Sequence, residues 1–238
     1  MRPPRNYQAH QIYLITQRGN QGQWVLADTE DFEMSVVLMR RYAPRHQVNI
    51  IGWKLLHNEA QWILEAGTTS SISNLMRDMQ SRYSHYLNVK YRDTPWKLIA
   101  PLYGMRNVDH FSPHLKMGPV NWTPRHHALL IEPANLAHAL RQLENSPVLT
   151  GIVPRAVDWR WSSALAHTTG KDLDQVLSFE RWLTLFGCPE TMARGWQRYL
   201  EERSSAWTPS GKTKLDLGTG CPHNRPKLIP YMTAPPGT

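Results

Sequence analysis

Glu59 and Gln61 stand one residue apart in a segment of alternating polar and apolar side chains, and His57 lies two positions before Glu59. On a strand, every second side chain points to the same face. A carboxylate, a carboxamide and an imidazole would then share one side of a sheet. The chemistry open to that set is oxygen coordination of magnesium, and two oxygen-bearing side chains hold that ion weakly. The plainer expectation is that Glu59 and Gln61 are solvated strand ends and that the chain holds no metal or cofactor. Zinc fits less well, because Cys188 and Cys221 are the only cysteines and lie far apart. His110 and His114 have helical spacing, but Phe111-Ser112-Pro113 interrupts a helix between them, and His126-His127 follow only later. These histidines suit pH-sensitive positive charge better than a four-ligand site. Gly211-Lys212-Thr213 imitates the end of a phosphate-binding loop, yet Ala206 stands where an earlier Gly is required and no strand precedes it.

The charge balance points to a polyanionic partner. Lys and Arg number 27 against 19 Asp and Glu, a net charge of +8, and each phosphate neutralised by a basic side chain releases counterions. Ten Trp and nine Tyr could stack unpaired bases, although most follow amphipathic stripes that suit a core. No apolar run approaches the ~20 residues of a membrane helix, and the opening Met1-Arg2-Pro3-Pro4-Arg5 leads into a polar strand rather than a signal-peptide core. A cytoplasmic, nucleoid-associated protein is the expectation.

The elements that must position these residues follow from periodicity. His10 to Thr16 alternates as a strand, and a second short strand over Gln23 to Leu26 is conceivable. Asp28 to Asp31 supplies N-cap chemistry for a helix that Pro44 stops. Val48 to Leu56 and Ala60 to Glu65 read as an antiparallel pair turning at His57-Asn58, which would bring His57, Glu59 and Gln61 to one face. Ile72, Leu75, Met76, Met79, Tyr83 and Tyr86 form one stripe of the next helix, with Arg77, Arg82 and His85 on another face. Ala128 to Ile131 is a strand, and Ala134 to Glu144 a helix closed by Asn145-Ser146-Pro147. This order suits an α+β fold with helices on one face of an antiparallel sheet. The expected division is a core over 8–155 with an irregular insertion at about 93–121, a helical extension over 156–206, and a flexible basic Pro/Gly-rich tail over 207–238.

Several pieces together carry a resemblance. Leu55 to Glu65 is similar to the Leu-Met-Pro-Asn-His-x-His motif of HUH tyrosine transposases, especially those associated with repetitive extragenic palindromes (REPs). Thr16-Gln17-Arg18-Gly19-Asn20 resembles that family's Thr-x-Arg-Gly-Asn strand end. Met79, Arg82-Tyr83, Tyr86 and Asn88 resemble its Met-Gln-x-x-x-x-Arg-Tyr-x-x-Tyr-Phe-Asn helix. Trp122 and Arg125 echo Trp-Gln-x-Arg-Tyr-Lys, Pro147 to Val153 the Asn-Pro-Val-x-Ala-Gly-Leu-Val turn, Trp161-Ser162-Ser163 a Trp-Ser-Ser, and Trp182 to Gly187 a Leu-Leu-x-Leu-Phe-Gly helix end. The pieces are collinear over about residues 10 to 203.

The resemblance implies a ferredoxin-like HUH core and cleavage of single-stranded DNA beside a hairpin. The family's two His side chains hold a divalent cation, and a Tyr nucleophile forms a covalent phosphotyrosine. Here the cation-binding positions are Glu59 and Gln61. The nucleophile position, counted back from Pro147, is Gln142, whose carboxamide is not nucleophilic towards phosphorus. Glu144 and Ser146 replace the family's His and Asn. The implied protein binds a DNA hairpin or single strand without cutting it, with Arg18, Asn58, Arg77, Arg82 and Arg125 as nucleic-acid contacts. The sequence leaves open RNA in place of DNA, an active nickase with a nonstandard site, and a subunit whose old DNA face meets a protein partner or a second copy, the insertion being the favoured contact.

Overall fold

The computed structural model describes residues 7–20, 24–90, 122–186 and 189–201. The anticipated insertion, the tail, His110 and His114 lie outside the described residues. The chain runs β1 (Ile12–Arg18), α1 (Thr29–Tyr42), β2 (Val48–Leu55), β3 (Glu59–Ala66), α2 (Ser71–Lys90), β4 (His127–Ile131), α3 (Leu136–Leu149), α4 (Ala164–Thr169), α5 (Phe179–Phe186) and α6 (Pro189–Glu201). The four strands form an antiparallel sheet in the order β2-β3-β1-β4. This is the expected α+β class, with β1 central because its Tyr13, Ile15 and Leu14 are buried on both faces.

Local chemistry sets the element ends. The Asp28 carboxylate accepts from the Asp31 amide and opens α1, and Pro44 starts a 3-10 turn just after it. Trp24 to Leu26 does not form the strand that its side chains suggested. The Val25 and Leu26 amides both donate to the His57 carbonyl, at 2.6 and 3.0 Å, which fixes this segment as a loop over the β2–β3 turn. The helix expected to stop at Asn145-Ser146-Pro147 continues to Leu149 with Pro147 inside it. Pro147 lacks an N–H, but the Thr150 amide donates to Ser146 at 2.9 Å beyond it, and the chain turns only at Gly151, where φ is 71°. The helix also begins later than expected, because Pro133–Asn135 first makes a 3-10 turn.

Two apolar cores sandwich the sheet, so helices cover both of its faces rather than the one expected. On one face Tyr13, Ile15, Trp53, Leu55, Trp62 and Leu64 pack against Phe32, Met39, Leu75, Met79 and Tyr83 of α1 and α2. On the other face Ile12, Leu14 and Ile63 meet Leu140 and Leu143 of α3, Trp182 of α5, and Trp196 and Leu200 of α6. The second layer follows from β3 itself, whose two faces are both buried. Gly52 admits α3 to this face. A Cβ there would lie 2.2 Å from Leu140 Cδ1, beside a register shift in β2. The outer edge of β2 is covered by residues 161–163, whose backbone exchanges hydrogen bonds with Trp53 and Leu55. Among the described residues, no helix is long and apolar enough to cross a membrane.

Candidate functional site

The face of the sheet that meets α3 carries a polar cluster at one end. Register places Arg18 opposite Glu59, Thr16 opposite Gln61, and Gln61 opposite Lys54, so these side chains converge by strand alternation. Lys54 Nζ donates to Glu59 Oε1 at 2.9 Å and to Ser146 Oγ of α3 at 2.8 Å. Arg18 Nε donates to Glu59 Oε2 at 2.8 Å. Gln61 Nε2 donates to Thr16 Oγ1 at 3.3 Å. Glu59 and Gln61 are therefore buried, at 7% and 4% exposure, rather than solvated strand ends. α3 covers this face, and Lys54 supplies the counter-charge that makes burial of the carboxylate tolerable.

Burial pushes the Glu59 carboxyl upward, but Lys54 and Arg18 outweigh it and hold the group below its ordinary value. Burial also pushes the Lys54 ammonium below its ordinary value, against the opposing pull of Glu59. His57 does not join this cluster, although strand alternation suggested a shared face. It lies in the turn after β2 ends, stacks on Trp24 with ring centroids 4.2 Å apart, and donates from Nδ1 to the Leu26 carbonyl at 2.7 Å. Burial lowers its pKa. Both oxygens of Glu59 are engaged by cations, and Gln61 adds a neutral amide. The donor set thus does not fit the divalent ion that the HUH resemblance implies. Among the described residues, no three His, Cys, Asp or Glu side chains converge as a metal site.

Gln142 lies half-buried on α3, one turn before Ser146. Glu144 is fully buried and acts as a hub: Ser163 Oγ, His167 Nδ1 and Trp196 Nε1 all donate to its carboxylate. It fastens α3 to α4 and its N-cap and to α6, a packing role that the sequence resemblance did not disclose. Tyr199 of α6 places its Oη 2.9 Å from His138 Nδ1 of α3, with the Arg141 guanidinium 4.7 Å from its ring centre.

The basic residues separate into different surfaces. Arg18 is on the α3 side with Glu59. Asn58 lies in the β2–β3 turn, where its carbonyl accepts the Gly19 amide at 2.8 Å. Arg82 is exposed on α2. Arg77 and Arg125 come together across a groove of about 740 Å³ between α2 and the segment entering β4, which Gln80, Ser84, Trp122 and Asn20 also line. A chain of amides holds the groove's base: Gln80 Nε2 donates to Gln17 Oε1 at 2.8 Å, and Gln17 Nε2 donates to the Thr123 carbonyl at 2.7 Å. Lys54, Ser146 and Gln80 are not among the expected contact residues, and Trp122 is one of the aromatics expected mostly in the core. Lys54 had a visible signal, a cation in phase with Glu59 across a predicted hairpin; Gln80 and Trp122 are joined only by tertiary packing.

No protein-family model matches the chain, and no curated protein does. Among solved structures, a REP-associated tyrosine transposase bound to a REP hairpin is similar, at 17% identity and a TM-score of 0.51, over 74% of this chain and 90% of that chain. A chain from Deinococcus radiodurans R1 that carries a transposase designation aligns at 14% identity and a TM-score of 0.37, over 61% of this chain and 97% of that one. The four-stranded antiparallel sheet with its flanking helices is accordingly the transposase fold of the hairpin-bound protein.

Proposed function

We propose that this protein is a catalytically degenerate transposase relative that binds hairpin-bearing or single-stranded DNA without cutting it. The observation that carries the reading is the Lys54–Glu59–Arg18 cluster. Where the resemblance calls for a divalent cation on two imidazoles, this chain has a carboxylate already bound by an ammonium and a guanidinium. Cleavage also needs a nucleophile, and the position that the resemblance assigns to Tyr is Gln142. Binding, by contrast, asks only for cationic and stacking surfaces, which the basic composition and the Arg77–Arg125 groove supply. The hairpin in the similar transposase complex makes a hairpin-bearing strand the natural ligand to try.

The deciding experiment incubates the full chain with a labelled DNA hairpin carrying a single-stranded flank, in magnesium and in manganese. The expected result is a mobility shift with no nick and no covalent adduct. A metal-dependent adduct on tyrosine overturns the reading.

One observation favours an active enzyme as the second reading. Tyr199 Oη and His138 Nδ1 lie 2.9 Å apart, a hydroxyl–imidazole spacing at which a base can activate a nucleophile. His138 and Ser146 are eight positions apart on α3, which is about 12 Å of helix rise, so this pair sits away from Glu59. Tyr199→Phe separates the two readings: loss of an adduct in this variant would assign cleavage to that pair.

A further inference from the structure

We infer that the groove between α2 and the lead-in to β4 is a seat for an unpaired nucleic-acid strand, held by Arg77 and Arg125 through its phosphates and by Trp122 through base stacking. The inference rests on the nucleic-acid reading above and locates its contact surface away from the Lys54–Glu59 cluster. Three features of the groove point the same way. First, beside Met76, Trp122 and Pro124 its described lining is Asn20, three serines, Gln80, Thr123, His126 and two arginines, with no Asp or Glu among these described residues, so the field they set up favours an anion. The Arg77 side chain is 69% exposed, and its only described carboxylate neighbour is Asp78 on the same helix, at 3.5 Å.

Second, Trp122 lines this basic groove while packing against Tyr83, with ring centroids 6.1 Å apart. An aromatic ring braced from behind and bordered by arginines is the arrangement on which exposed bases stack without sequence preference. A duplex keeps its bases inside and would offer only phosphates here. A volume near 740 Å³ lies in the range of pockets that enclose a small ligand, which suits a few nucleotides of one strand.

Third, the groove is pre-formed. Gln80, Gln17 and Thr123 link its two walls by hydrogen bonds. Trp122 is fixed by a bridge to Gly19, and the Thr123 amide donates to the Arg18 carbonyl at 2.8 Å. Binding then costs little ordering of the protein. This backbone linkage also joins the groove to the end of β1 whose Arg18 side chain reaches Glu59 on the opposite face.

The test measures fluorescence anisotropy of the full chain with labelled oligo-dT, oligo-rU and a blunt DNA duplex at several salt concentrations. Arg77→Glu and Arg125→Glu are each expected to weaken both single strands roughly tenfold at low salt and to reduce the salt slope. Trp122→Leu is expected to weaken single strands by about tenfold and leave the duplex nearly unchanged. Lys171→Glu, an exposed charge outside the groove, controls for net charge. The stronger of the dT and rU arms identifies the strand as DNA or RNA, and either supports the seat. Equal losses from Lys171→Glu and Arg77→Glu, or an unchanged ratio of single strand to duplex in Trp122→Leu, overturn it while leaving nucleic-acid binding intact. Absence of binding by the unmodified chain instead overturns the function on which it rests. If Trp122→Leu does not fold, Arg77→Glu at its exposed helical position still decides.

Discussion

At the residue scale, Lys54 and Glu59 form a pair in which each makes the other's burial tolerable. Replacing Glu59 by Gln leaves the buried Lys54 ammonium without its carboxylate, and breaking a buried pair in this way costs about 3 kcal/mol. Urea unfolding at pH 7 should show that loss. The sign with pH follows from the lowered Glu59 value. Its stabilisation is fully present above the unfolded carboxylate pKa of about 4.3 and is lost as pH falls through the lower folded value. The gap between the parent protein and Glu59→Gln should therefore narrow in the acid range below pH ~4. A gap independent of pH would mean that Glu59 matters by shape alone. A second prediction concerns the cation site. Glu59→His with Gln61→His places two imidazoles one residue apart, but Lys54 still sets positive charge against them. Manganese affinity measured by calorimetry should rise only when Lys54→Met is added. Equal manganese binding with and without Lys54 would show that the ammonium does not exclude the ion.

At the element scale, the approach of α3 to the sheet depends on Gly52. A methyl group there would meet the fully buried Leu140 side chain, and overpacking of this kind costs about 2 kcal/mol. Gly52→Ala should be destabilised by that order in thermal unfolding, and Leu140→Val should recover part of the loss if the contact is the cause. A separate tie joins the end of α2 to the start of α1. Lys90 Nζ donates to Asp28 at 2.7 Å and to fully buried Asp31 at 2.9 Å, and Tyr86 Oη donates to Asp31 at 3.0 Å. Burial opposes the Lys90 charge, but Asp28, Tyr86 and Asp31 outweigh it and raise the pKa. That stabilisation is complete below the ordinary lysine value of about 10.4 and is lost only as pH rises through the higher folded one. Lys90→Met should lower stability by about 3 kcal/mol, evenly between pH 6 and 9. A loss that varied across that window would point to another titrating group.

At the scale of the whole molecule, the net charge of +8 should give the proposed nucleic-acid binding a salt dependence whatever the ligand's sequence. For single strands each phosphate contact contributes about 0.7 to the slope of log affinity against log salt. Arg77→Ala combined with Arg125→Ala should reduce that slope by roughly 1.4. Arg82→Ala, outside the groove-lining residues, should leave it close to the parent value. An equal effect from Arg82 would extend the binding surface around α2.

Alternation over Val48 to Glu65 and the Ile72–Tyr86 stripe are properties of the chain itself, because strand and helix periods decide which side chains share a face. They made the hairpin, α2 and the α+β class legible in the sequence, as did Asp28 for the start of α1. The ordered motifs from Thr16 to Gly187 carried the resemblance in the same way, and Glu59, Gln61 and Gln142 are the positions it singles out. Burial could not be read there. A polar pair at a strand start looks solvated until a second layer covers it, and that layer is α3, admitted by Gly52 and anchored by Glu144. His57 left the pair because its ring found Trp24 and the Leu26 carbonyl, contacts across a loop that no period encodes. Pro147 stayed inside a helix because the next amides and the tertiary packing of α3 compensated for the bond it cannot make. The grouping of Arg77 with Arg125, and not with Arg18 or Arg82, was likewise settled by long-range packing, since it depends on which surface of α2 meets the segment leading into β4.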